Sequence, residues 1–180
     1  MAVDYFSKWA KAEALANIWD VDVKKFVWRN IVIRFGVPES LMLDNGLQFD
    51  SKAFHEFCGS LSITNRYSTS AYPQSSGQAE AIVNRLKRRL EGAKGGWTNE
   101  LPSGLWAYQT TPRRSTGETP FSLTYGVEAV IPAEVNLCSG WVSRFSPAEN
   151  SELMIKQLNT LEERRESATI RLAKYQQKLA

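Results

Sequence analysis

Two carboxylates stand out in this sequence because of their positions relative to the predicted elements. Asp44 follows a short apolar strand predicted over residues 41–43 and opens an Asp-Asn-Gly turn, which is the kind of strand exit where ligands gather. Glu80 lies just inside a helix predicted over about residues 78–94, behind a loop rich in Ser, Gly and Pro. A carboxylate at a strand end and another on a helix can share a divalent cation, because Mg²⁺ binds one or two carboxylates together with waters and phosphate oxygens.

Each carboxylate also has a purely structural explanation. Asp-Asn-Gly is a common turn sequence. A Glu near the start of a helix is favoured by the helix dipole, and Ser75 and Gln78 have the spacing of a capping box. Taken one at a time, Asp44 and Glu80 are therefore compatible with two interpretations. One is a shared metal site, and the other is an ordinary turn and an ordinary helix start.

The elements that must position these residues alternate between strands and helices. Strand patterns occur at residues 2–6, 11–15, 41–43 and 63–68, and helix patterns at 20–35, 52–61, about 78–94 and 101–108. This alternation predicts an α/β domain. The helix over 20–35 is expected to start at Asp20 as its cap and to stop at Gly36.

Composition narrows the class of protein. A chain of 180 residues that is 43% hydrophobic can bury one sizeable core, and no apolar run approaches the length of a membrane span. Two cysteines, Cys58 and Cys138, and the single His55 cannot form a four-ligand zinc site. The net charge of +3 permits a nucleic-acid partner without requiring one, and we expect a reduced, intracellular protein.

Three segments are predicted along the chain: a core over residues 1–138, a linker over 139–150 and a helix over 151–180. From Met154 to Leu179 apolar residues recur at steps of four and three, interrupted by Arg165, which is typical of a heptad seam. The pattern fits an amphipathic helix packed on its own domain and also fits a coiled-coil contact with another chain. The pattern leaves a homo-oligomer open.

Five ordered segments around the two carboxylates resemble one known family. They are residues 3–9 (VDYFSKW), 43–49 (LDNGLQF), 72–80 (YPQSSGQAE), 105–112 (LWAYQTTP) and 116–121 (TGETPF). In this order they resemble the integrase catalytic core of gypsy-type LTR retrotransposons, especially plant ones, within the retroviral integrase superfamily. Leu43 stands where that family usually has Ser.

The resemblance implies a ribonuclease-H-like α/β fold, a mixed sheet with flanking helices, followed by a long C-terminal helix. It also implies DNA integration by the DDE mechanism, in which two Asp and one Glu hold two divalent ions, Mg²⁺ or Mn²⁺, that act on DNA phosphodiesters. Asp44 would be the second acid and Glu80 the third. The expected partners are the retroelement ends and target DNA, and the expected compartment of a functional protein is the nucleus.

The resemblance also predicts an N-terminally truncated core. In the family the first Asp lies on an opening central strand upstream of the VDYFSKW segment, and this sequence starts only three residues before Asp4. We therefore expect an incomplete metal site. Asp4 is a poor replacement, because a first-strand Asp needs two further strands and a helix before Asp44, and only one strand pattern and one helix lie between them.

The helix after Glu80 is the most basic part of the chain and is the predicted DNA contact. Lys87 lies seven residues after Glu80 and so on the same helix face, which makes it the predicted phosphate ligand. Asn84, Arg85 and Arg88 are further predicted contacts. The competing function is a non-catalytic nucleic-acid-binding or oligomerising relic of a retrotransposon polyprotein.

Overall fold

The structure is a computed structural model that describes residues 1–67, 73–90, 96–129 and 146–178, with the side chains of 73–80 and 89 outside the description. The strands are β1 (Ala2–Val3), β2 (Ala10–Lys11), β3 (Ser40–Leu43) and β4 (Thr64–Tyr67). The helices are α1 (Asp20–Val27), α2 (Ile33–Phe35), α3 (Lys52–Ser60), α4 (Pro73–Leu90), α5 (Trp97–Gln109), α6 (Pro120–Tyr125), α7 (Pro147–Asn159) and α8 (Leu161–Gln177). A π-helix, Trp28–Val32, joins α1 to α2.

The described strands form two separate two-stranded sheets. β3 pairs with β4 in parallel, with Leu43 opposite Tyr67 at the last position of both strands, and α3 is the crossover between them. β1 pairs with β2. Within the described ranges no strand pairs with the other edge of β3. The predicted α/β class, with strands and flanking helices, is confirmed.

β1 is shorter than the strand predicted over 2–6 because a turn begins at Asp4. The carboxylate oxygen Oδ2 of Asp4 accepts hydrogen bonds from the backbone N–H and from the hydroxyl of Ser7, both at 2.7 Å. Lys8 has a positive φ of 62°. The side chain of Asp4 therefore stabilises a turn between β1 and β2, a local use that strand periodicity does not reveal.

The described residues divide into two compact units. The first contains Met1–Ala2 and Lys11–Pro102, and the second contains Val3–Ala10 and the described residues from Ser103 onward. The core of the first unit packs α1 and α3 against β3 and β4, with Phe54 fully buried at its centre. Its buried members are Val23, Phe26, Val27, Leu43, Phe54, Cys58 and Ile63.

The helix predicted over 20–35 is confirmed as a continuous helical segment, but Asp20 is its first residue and not its cap. The N-cap is Trp19, whose backbone N–H donates to the Asp22 carboxylate at 3.4 Å. Buried Asn30 lies in the π-helical turn, and its amide donates to Glu13 at 2.7 Å and to the Phe26 carbonyl at 3.2 Å. Apolar spacing alone cannot distinguish this turn from regular α-helix.

In the second unit α8 packs against α6. Thr119 caps α6 through a hydrogen bond from the Ser122 N–H at 2.9 Å, and Leu123 of α6 is buried. Arg165 of α8, the polar residue in the heptad pattern, donates from Nε to the Leu123 carbonyl at 3.3 Å. Gly126 ends α6 with φ of 78°, in the left-handed region that favours glycine.

The C-terminal segment contains the expected long helix, α8, preceded by a second helix, α7. They are separated at Thr160, whose hydroxyl donates to the Gln157 carbonyl at 3.0 Å. This local hydrogen bond competes with the helical backbone pattern. Ala168, in the middle of the predicted seam, is fully buried, whereas Met154 and Leu158 are exposed. The division at 139–150 stays a prediction, since residues 139–145 lie outside the description.

Two sequence predictions on side chains and boundaries are wrong. α4 begins at Pro73 and not near residue 78, because proline is well suited to a first helical position, where its missing N–H is not needed. The sequence predicts that Trp97, Trp106 and Tyr108 lie in the core. Trp97 is 44% exposed as the first residue of α5, whereas Trp106 is partly buried and Tyr108 is buried.

Cys58 allows a pH-dependent prediction. Its side chain is buried on α3, and burial raises the pKa of its thiol. The unfolded chain loses this proton at a lower pH than the folded chain, so the free energy of unfolding should fall as pH rises above the ordinary cysteine pKa of about 8.5. We expect Cys58→Ala to remove part of that decline between about pH 8 and 10 in urea titrations. An unchanged pH slope in this variant would contradict a buried, protonated thiol.

Candidate metal centre and nucleic-acid interface

Asp44 lies at the carboxyl end of β3, where the sequence places it, and its side chain is exposed. Its oxygen Oδ1 accepts a hydrogen bond from the Gly46 N–H at 3.0 Å, which holds the carboxylate against the turn. A hydrogen bond from the Phe49 N–H to the Gly46 carbonyl, at 2.9 Å, continues that turn. A second, from the Asp50 N–H to the Leu47 carbonyl at 3.2 Å, follows it.

Three further residues, Asp50, His55 and Tyr67, lie around this turn. The sequence did not single them out for the site. Tyr67 ends β4 next to Leu43, and its hydroxyl donates to the Phe49 carbonyl at 3.1 Å. Nε2 of His55 lies 3.4 Å from the Asp50 carboxylate and 3.4 Å from the Tyr67 hydroxyl. The sequence predicts that His55 and Cys58 are packing residues of one helix; Cys58 is buried, but the His55 side chain is 43% exposed. The strand register that brings Tyr67 here has no signal in a single sequence.

Tyr67 also has a perturbed acidity. Burial, the Asp50 carboxylate and Cys58 together raise the pKa of its phenol, in that order of size. Tyr67 therefore keeps its proton well into the alkaline range, and its hydroxyl remains a donor to the Phe49 carbonyl.

The predicted contacts of α4 lie on an exposed face. Ile82 and Leu86 are buried, whereas Asn84 and Arg85 are exposed. Lys87 and Arg88 are exposed as well. This pattern is that of a helix with one face on the core and a polar, basic face outward.

Position 80 is the eighth residue of α4, about one turn before Asn84 and two turns before Lys87. The backbone therefore puts it at the same register as these polar residues, but the Glu80 side chain itself lies outside the description. The helix-dipole explanation of Glu80 loses its force, because that effect fades beyond the first turn.

The described side chains contain no group of three or more His, Cys, Asp or Glu residues that could hold a metal ion. Asp4 is engaged with Ser7, as described above. The exposed Asp44 carboxylate is a hard oxygen donor of the kind that Mg²⁺ binds, and no Lys or Arg side chain forms a salt bridge with it in the described part of the chain. Asp44 thus fits one carboxylate ligand of such a site.

Comparison by sequence finds retroviral polyproteins. The Gag-Pol polyprotein of Avian reticuloendotheliosis virus is 33% identical over 135 residues, which is 72% of this chain and 12% of that polyprotein. This chain thus spans about an eighth of its length. No family model matches the chain.

Comparison by structure finds integrase cores. The catalytic core domain of BIV integrase superposes with a TM-score of 0.57 at 23% identity, covering 67% of this chain and 80% of that one. The HTLV-2 integrase catalytic core domain, in complex with magnesium and in a trimeric form, gives a TM-score of 0.50 at 23% identity, covering 67% and 79%.

The fold is the ribonuclease-H-like fold of integrase catalytic cores. Together with the similarity to retroviral Gag-Pol polyproteins, it confirms the resemblance of this chain to the integrase core of the retroviral superfamily. The narrower assignment to gypsy-type, plant-like retrotransposons stays a prediction. Among the described helices, none combines the length and the apolar character needed to cross a bilayer.

Proposed function

We propose that this chain is the catalytic core of an integrase that acts on DNA phosphodiesters during DNA integration. The observation that carries the proposal is the position of Asp44. An exposed carboxylate stands at the carboxyl end of β3, held by the turn that follows it, in a chain with the fold of an integrase core.

In this proposal Asp44 and Glu80 hold two divalent ions, Mg²⁺ or Mn²⁺. The ions, when bound, supply charge stabilisation and activate the attacking oxygen. The turn hydrogen bond from Gly46 orients the Asp44 carboxylate. Asn84, Arg85, Lys87 and Arg88, exposed on α4, bind the phosphate backbone of retroelement ends or target DNA.

We infer that a third carboxylate is needed from a strand ahead of residue 1. Asp4 is an unsuitable source because both described hydrogen bonds of its carboxylate hold the turn to Ser7. One feature of the first unit is compatible with an upstream strand: the outer edge of β3 has no strand partner in the described ranges.

The test is metal-dependent nicking of a DNA duplex that carries a retroelement end. We would compare the 180-residue chain with the same chain carrying an added upstream strand that contains one Asp. The extended chain should nick DNA with Mg²⁺ or Mn²⁺, the version with Asn in that strand should not, and EDTA should abolish the activity. An extended, folded chain that shows no metal-dependent nicking would contradict the proposal.

A second candidate function is a non-catalytic relic that binds nucleic acid through α4 or associates through its C-terminal helices. The exposed basic residues of α4 and the exposed Met154 and Leu158 of α7 favour it. It predicts DNA binding that is indifferent to Mg²⁺ and unchanged in Asp44→Asn. Binding without nicking in the extended chain would support this function.

Lys87 supplies a separate prediction on DNA binding. We expect Lys87→Ala to weaken binding to a similar degree across unrelated DNA sequences and to reduce the slope of log affinity against log salt by about 1. Fluorescence anisotropy at several salt concentrations measures both. Lys52→Ala is the matched control, since Lys52 is an exposed lysine on α3 whose ion pair is with Glu56 at 3.8 Å. A loss confined to one sequence would contradict a phosphate contact.

We further infer an intracellular protein, nuclear where the element is functional, and self-association of the chain. The trimeric form in which the HTLV-2 core was solved supports self-association. Analytical ultracentrifugation of the chain with and without DNA would test it.

A further inference from the structure

We propose that Tyr67 and His55 are positioning residues that fix the turn carrying Asp44, through a hydrogen-bonded tether to Phe49 and Asp50. The tether joins three elements of the first unit: the end of β4, the middle of α3 and the loop that follows β3. The inference rests on the proposed function only in its consequence for metal binding.

The direction of the hydrogen bonds follows from the chemistry of the groups. The Phe49 carbonyl can only accept, so the single proton of the Tyr67 hydroxyl points to it, at 3.1 Å. The Tyr67 oxygen therefore accepts from His55 at 3.4 Å, and the Asp50 carboxylate also accepts from the same nitrogen at 3.4 Å. His55 thus carries a proton on Nε2 that both oxygens share.

The tether acts on the part of the loop that holds Asp44. Phe49 and Asp50 are the residues whose N–H groups close the two turns after Asp44, on the carbonyls of Gly46 and Leu47. The Phe49 ring lies edge-on to buried Phe54, with centroids 5.7 Å apart. The far end of the loop is therefore held by a ring contact and by Tyr67, while Asp44 follows directly from β3.

Amide hydrogen exchange of Phe49 and Asp50, followed by NMR, tests the tether directly. Tyr67→Phe should speed exchange of these two amides about 3- to 10-fold, the loss expected for one hydrogen bond, and His55→Phe should speed it about 2- to 3-fold. The control is Ser60→Ala at the end of α3, whose hydroxyl bonds only to the Phe57 carbonyl in the described contacts. It should leave both amides unchanged.

A variant that keeps the hydrogen-bond donor separates positioning from simple packing. His55→Gln retains a donor at this position and should protect the two amides better than His55→Phe does. Equal protection in the natural chain, Tyr67→Phe and His55→Phe, with the Cys58 amide equally protected in all three, would overturn the proposal.

Mn²⁺ titration of the same variants connects the tether to the site. Tyr67→Phe should weaken Mn²⁺ binding about 3- to 10-fold, in step with the loss of amide protection. If amide exchange is faster in Tyr67→Phe but the natural chain binds no Mn²⁺, the result supports the tether and contradicts the proposed metal site. Weaker Mn²⁺ binding in Tyr67→Phe without any change in amide exchange would overturn the tether.

Discussion

Asp44→Asn is expected to lower metal-dependent DNA nicking by at least about 100-fold in the extended chain that carries an upstream Asp. The amide of Asn keeps an oxygen that can accept the Gly46 N–H, so the turn should survive. The substitution removes the negative charge that binds a divalent ion. The side chain is exposed, so the free energy of unfolding should change little.

The role of Asp44 as a metal ligand can also be tested by measuring Mn²⁺ binding directly, without an activity assay. Mn²⁺ should broaden the NMR signals of Asn45 and Gly46 in the natural chain and should not do so in Asp44→Asn. The matched control is Glu56→Gln, because Glu56 is an exposed carboxylate in the same unit whose ion pair is with Lys52. Nicking that survives in Asp44→Asn, or that is lost equally in Glu56→Gln, would contradict the assignment of Asp44 as a metal ligand.

Phe54→Ala should lower the free energy of unfolding of the first unit by about 3–5 kcal/mol. Phe54 is fully buried on α3 and contacts two further rings, with centroids 5.7 Å from Phe49 and 6.3 Å from Phe57. Its removal leaves a cavity between α1, α3 and the β3–β4 sheet. A marginally stable unit could lose its folded state altogether at this cost.

Urea denaturation followed by circular dichroism measures this effect. Phe35→Ala is the control, since Phe35 ends α2 with its side chain 47% exposed, and its loss should cost less than about 1 kcal/mol. Phe54→Val offers a milder change if the Ala variant does not fold, and it should be intermediate. Equal unfolding midpoints for Phe54→Val and the natural chain would contradict the described core.

The elements of the first unit were largely predictable because their signals are local. The α1–α2 segment, α3 and the carboxylate after β3 follow from apolar spacing and turn residues that lie next to each other in sequence. The start of α4 at Pro73 was missed because a loop-like Pro-Ser-Gly composition outweighed the suitability of proline as a first helical residue. The exposure of Met42 could not be predicted, because the run Leu41-Met42-Leu43 is uniformly apolar in sequence.

The candidate site was predictable in part. Asp44 stands at a strand end as predicted, and Lys87 is on an exposed basic face. The roles of Tyr67 and Asp50 were not predictable, because they depend on a register that joins residues far apart in the chain. The use of Asp4 in a turn depends on one side-chain hydrogen-bond pattern that competes with strand pairing.

The unpaired side of β3 bears on how the protein behaves at high concentration. Its backbone N–H and C=O groups have no strand opposite them in the described ranges, and Met42 on the same strand is half exposed. Unpaired backbone groups along a strand edge can pair with a strand from another chain as readily as with a strand of the same chain. We therefore expect the isolated chain to aggregate edge to edge as concentration rises, and a short peptide strand supplied in excess to suppress that aggregation.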